Sequence, residues 1–97
     1  MNCLCHKYSI TDAVSETAAF NWNGDPNMIV TVLEGEWGGA EIDLMRIDGS
    51  YEAVIATFDA TTPAQGVTMT FGGRYKFAVR DATGTTDLLI LVESYAF

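Results

Sequence analysis

Positive charge is scarce in this chain: five Lys and Arg stand against thirteen Asp and Glu over 97 residues, a formal net charge of −8. Proteins that track phosphate backbones need clustered cations, so this balance argues against direct nucleic-acid binding and against docking on an anionic membrane. Cysteine is limited to Cys3 and Cys5, and histidine to His6. Structural zinc sites take four ligands with a second pair further along the chain, and no second pair exists here. Cysteines two apart on a strand share a face without being placed to bridge each other. No apolar run approaches the ~20 residues that span a bilayer. The start, Met1-Asn2-Cys3-Leu4-Cys5-His6-Lys7, lacks the long apolar segment of a signal peptide. Synthesis in a cytoplasm is the expectation, and a structural disulfide is disfavoured there.

Catalytic signatures are missing as well. There is no Gly-x-Ser-x-Gly elbow, no Gly-rich phosphate loop opening a helix and no His-Glu-x-x-His. His6 has Cys5 beside it in sequence, but neighbouring strand residues point to opposite faces, so no nucleophile–base pair forms. We expect no enzyme activity, no cofactor and no metal. Helix signals are few, the best being a short turn over Thr11–Ala19 capped by Thr11 or Asp12.

What is present is strand-like. Hydrophobic residues make up 48% of the chain, with nine glycines and only two prolines marking the turns. Strands are expected near Cys5–Ile10, Ala18–Trp22, Met28–Leu33, Ala40–Ile47, Tyr51–Phe58, Val67–Phe71, Arg74–Arg80 and Asp87–Tyr95. Glu34–Gly39 and Thr61–Gly66 read as two of the intervening turns. About eight short strands at this spacing predict an all-β, single-domain antiparallel sandwich, jelly-roll or immunoglobulin-like. One domain spans 1–97, with 1–10 an N-terminal arm or edge strand. Asp48-Gly49-Ser50 marks a tight hairpin, after which Val54, Ala56 and Phe58 are expected on one face and Ala53, Ile55 and Thr57 on the other.

Several groups have a binding reading beside a bland one. Glu34, Glu36, Glu41, Asp43, Asp48 and Glu52 cluster in sequence; a solvated face is favoured over a weak calcium site, because no EF-hand spacing is present. Arg74, Lys76 and Arg80 share a parity and so a strand face. They serve either as a cationic strip for an acidic partner or as neutralising partners for the domain's own acids. Trp37, set among Gly35, Gly38 and Gly39, is the better candidate for an exposed aromatic, with Tyr51 and the terminal Phe97 as further contact candidates, while core or interface is the expected place for the aromatics as a group. Met28–Leu33 and Leu88–Val92 are apolar at both parities, more than one small sandwich covers by itself. Leu89 and Leu91 are therefore expected at a contact surface.

The stretch Glu36-Trp37-Gly38-Gly39-Ala40-Glu41-Ile42-Asp43-Leu44 is followed by Asp48-Gly49-Ser50-Tyr51. Further on come Gly72-Gly73-Arg74-Tyr75-Lys76-Phe77-Ala78-Val79 and Ala82-Thr83-Gly84-Thr85-Thr86-Asp87. From Glu36 on, this pattern resembles the small β-sandwich virion proteins of tailed bacteriophages; the N-terminal third departs from it. The resemblance implies a structural virion protein that decorates and cements the outer surface of a capsid. Its partner would be the major capsid protein, and it would sit there as a homo-oligomer, trimer or dimer. The other role in keeping with the resemblance is a tail or fibre accessory, or a carbohydrate- or receptor-binding module using Trp37 or Tyr51.

Overall fold

Alternating buried and exposed side chains, interrupted by short polar turns, give eight strands and no helix among the described residues. The computed structural model describes residues 5–13, 15–22, 27–68 and 73–94. The strands are β1 (Cys5–Thr11), β2 (Phe20–Trp22), β3 (Asn27–Glu36), β4 (Glu41–Asp48), β5 (Tyr51–Phe58), β6 (Ala64–Thr68), β7 (Gly73–Arg80) and β8 (Asp87–Ser94). They form two four-stranded antiparallel sheets: sheet A in the order β1-β8-β3-β6 and sheet B in the order β2-β7-β4-β5. The first strand pairs with the last, the second with the seventh, the third with the sixth and the fourth with the fifth. The chain is thus one long antiparallel ribbon, closed at the β4–β5 hairpin and rolled so that successive pairs fall alternately in the two sheets. That wrap is a jelly roll, which decides between the two sandwich types expected.

The inner faces supply the core. Met28, Val30 and Val32 of β3 and Leu88, Ile90 and Val92 of β8 meet Ile42 and Leu44 of β4, Phe58 of β5, and Tyr75 and Phe77 of β7. An aromatic cluster joins the two layers at β1: the Tyr8 ring lies 5.8 Å from both Phe20 and Phe77, and Phe20 lies 5.8 Å from Phe77. Each fully buried ring of this kind contributes roughly 1.5–3 kcal/mol of burial energy.

Four local expectations are corrected. The proposed turn of helix over Thr11–Ala19 is extended at its end: Glu16 bridges Ala78, Thr17 N–H donates to the Phe77 carbonyl at 2.8 Å, and Val79 N–H donates to the Ser15 carbonyl at 2.8 Å. Pairing with β7 satisfies this backbone better than an isolated helical turn would. β3 runs through the turn expected at Glu34–Gly39 as far as Glu36, with a bulge between Leu33 and Glu36. Gly35 makes this possible, because any β-carbon there would collide with the Asp87 backbone.

The strand expected at Val67–Phe71 begins earlier: β6 is Ala64–Thr68, so it takes in the end of the turn expected at Thr61–Gly66, with Gly66 opposite Ile29. Residues 69–71 lie outside the described residues. β6 is an edge strand, where a glycine is tolerated. The fourth correction concerns β5. Leu44 opposes Ala56 but Met45 opposes Val54, so Ile55 is an unopposed bulge residue. The extra residue reverses the parity, placing Val54 on the outer face with Met45 while Ala56 and Phe58 face the core.

Candidate functional site

The two outer faces of the sandwich differ in chemistry, and the difference follows from the strand sequences. On sheet B, the outward positions are Glu41, Asp43, Met45 and Ile47 on β4 and Arg74, Lys76, Ala78 and Arg80 on β7, so apolar side chains stand beside the charged ones. Arg80 Nε and Nη2 donate to the Asp43 carboxylate at 2.7 and 3.0 Å, while its Nη1 lies 2.8 Å from Glu41. Thr57 Oγ1 donates to Asp43 at 2.8 Å from the neighbouring β5. The Arg80 hydrogen bonds hold the Asp43 carboxyl below its ordinary value against the opposing pull of burial, with Thr57 adding to the same effect. Lys76 Nζ donates to Glu16 at 2.8 Å and to Glu52 at 2.7 Å. These bonds, Glu16 first, raise the Lys76 pKa.

The cationic strip therefore does not act as one. Lys76 is buried, at 8% exposure. Arg80 is committed to two acids of its own sheet, and only Arg74 among the three is exposed without an ion pair among the described residues. The neutralising reading of Lys76 and Arg80 is the one the geometry carries, because Glu16 and Glu52 flank the outer face on either side of Lys76.

Sheet A presents the opposite chemistry. Its outward residues run in cross-strand rows: Lys7, Leu91, Thr31 and Ala64 in one, Glu93, Ile29 and Gly66 in the next, with Ser9 opposite Leu89. Leu89, Leu91 and Ile29 are half-buried among their neighbours, and the small Ala64 and Gly66 keep the β6 side low. Every described strand belongs to one of the two sheets, so no described strand lies over this face. The result is a shallow apolar strip on β3 and β8, bordered by Lys7 and Ser9 on β1. Leu89 and Leu91 stand where the alternation of Leu88–Val92 placed them, with Leu88, Ile90 and Val92 buried on the other side.

The remaining candidates separate. Trp37, the better candidate for exposure among aromatics read as core or interface, is half-buried and packed against the core. Its carbonyl accepts from Thr86 Oγ1 at 2.9 Å and from Ala40 N–H at 2.9 Å, which fixes its turn. A ring held this way is not a free stacking platform. Among the described residues Tyr51 is the most exposed large hydrophobic at 79%, at the start of β5. Val54 and Ile55 join it as exposed residues that sequence reasoning missed, since a bulge leaves no mark in composition. Phe97 lies outside the described residues, as does Cys3. Among the described residues, no group of three or more His, Cys, Asp or Glu is placed to hold a metal ion. His6 stacks near the aromatic cluster, 5.0 Å from the Phe20 ring, as part of β1, which is an edge strand of sheet A.

No family model, curated protein or solved structure matches this chain.

Proposed function

We propose that this protein is a non-enzymatic docking module that seats the outer face of sheet A on a larger protein assembly. The observation that carries this reading is the apolar strip of Ile29, Leu89 and Leu91 on a sheet whose other face already completes the core. Taken with the motif resemblance from Glu36 on, the specific form proposed is a capsid-decorating virion protein gripping the outer surface of major capsid subunits. Burial of such a strip stabilises a complex by about 25 cal/mol per Å² of apolar area before association costs are subtracted. The acidic remainder of the surface keeps the module soluble and away from nucleic acid.

The test is co-sedimentation of the purified protein with capsid shells of its cognate particle. The wild-type chain pellets with the shells, and Leu89→Asp and Leu91→Asp weaken binding at least about tenfold, since a buried unpaired carboxylate costs more than about 1.4 kcal/mol. Thr31→Lys, a milder change on the same face, weakens binding with little effect on the melting transition, which separates docking from folding. Failure of the wild-type chain to bind, or unchanged binding by all three variants, overturns the proposal.

A further inference from the structure

β5 is the last strand of sheet B, and its outer edge is open where its residues are most apolar. Residues 51–55 are all exposed. Toward the far end of the strand the edge is blocked, because the Gln65 side chain of β6 donates to the Thr57 carbonyl. Open edges are usually blunted by proline, lysine or inward charge, and β5 contains none of these. Its only charged residue, Glu52, is already bonded to Lys76. The bulge at Ile55 bends the strand and limits any regular pairing to the segment before it.

We infer that this edge pairs with β5 of a second copy, antiparallel about a two-fold axis at Ala53, making one eight-stranded sheet from two sheets B. Charge permits a second copy at this edge. The chain carries −8, which repels a like molecule, whereas the pairing segment 51–55 has one charge, Glu52, and that is bonded to Lys76. Symmetry fixes the register. A two-fold axis normal to the sheet keeps outward residues outward, so residues of like facing must meet. An axis at Glu52 would set two carboxylates opposite each other, which is destabilising. An axis at Val54 would set outward Glu52 against inward Ala56. An axis at Ala53 sets Glu52 opposite Val54, both outward, and Tyr51 opposite Ile55. That last pairing joins an aromatic to a β-branched residue, each exposed in the single chain, and covers both. The outer face of sheet A takes no part, so this inference stands or falls separately from the docking proposal.

The test uses the full chain with Cys3 and Cys5 replaced by serine. Sedimentation equilibrium up to about 1 mM detects a weak as well as a tight pair. The expected result is a monomer–dimer equilibrium that Ile55→Lys shifts to monomer, with the melting transition unchanged because Ile55 is exposed. In the same background, Ala53→Cys forms an intermolecular disulfide at least about tenfold faster than Thr61→Cys, since the axis brings the two introduced thiols together at high effective concentration. A chain that stays monomeric throughout, a trimer, a dimer insensitive to Ile55→Lys, or equal crosslinking at the two positions overturns the inference.

Discussion

Asp43 shows how a single side chain can look like a ligand and act as a strut. Its residue is 6% exposed, and Arg80 and Thr57 satisfy its carboxylate. Because its folded pKa is depressed, the stability it supplies is fully present above the unfolded value of about 3.9 and is lost as pH falls through the folded value. Asp59 is shifted the same way by the Thr61 hydroxyl and the backbone of Thr61 and Thr62, so it adds to the same acid slope. Asp43→Asn is expected to cost about 1–3 kcal/mol at pH 7. The gap from wild type should close toward pH 3, as read from urea unfolding at the two pH values. At Gly38, φ is +57° and a β-carbon would crowd the hydroxyls of Thr83, Thr85 and Thr86. Gly38→Ala should therefore destabilise by about 1–3 kcal/mol, measured in the same way. The shared face of Lys76 and Arg80 was legible from spacing alone. Their partners were not: Glu16 lies sixty residues from Lys76, and only the pairing of its segment with β7 brings it close.

Strands were the most legible elements where alternation was regular. Tyr51–Phe58 has the expected bounds, and in β8 Leu88, Ile90 and Val92 are buried while Leu89 and Leu91 face outward. The turn at Gly49-Ser50 also follows from its residues: φ is positive at Gly49 and not at Ser50, the type II′ pattern that glycine at the first central position permits. The β5 bulge was illegible because no residue in Tyr51–Phe58 demands it; it arises from fitting β5 to β4. Within the core, Phe77 is wholly buried between the layers and touches both Tyr8 and Phe20. Phe77→Ala is expected to cost about 3–5 kcal/mol in chemical denaturation, the scale of a large buried ring replaced by a cavity. An effect as small as that of an exposed substitution would contradict the layer packing described.

At the scale of the molecule, the stretches that carry the phage resemblance fall on the strands β4 and β7 and on the turns beside them. Gly38 lies in the turn closing Trp37 to Ala40, and Thr83 lies in the turn closing to Thr86. Thr83 Oγ1 donates to the Gly38 carbonyl at 3.0 Å and Thr86 Oγ1 to that of Trp37 at 2.9 Å, so the two turns brace each other where the chain crosses between sheets. Those residues explain why the ribbon rolls as it does, but a fold by itself does not assign a role. The assignment proposed rests instead on the apolar strip of Ile29, Leu89 and Leu91 on the outer face of sheet A, set against an outer face of sheet B where Lys76 and Arg80 are paired with their own acids. Electron cryomicroscopy of the intact particle tests it most directly. Density for this chain is expected on the head, with Ile29, Leu89 and Leu91 turned toward the capsid subunits. Absence of the chain from the particle, or a bound chain with sheet A turned to solvent, would contradict it.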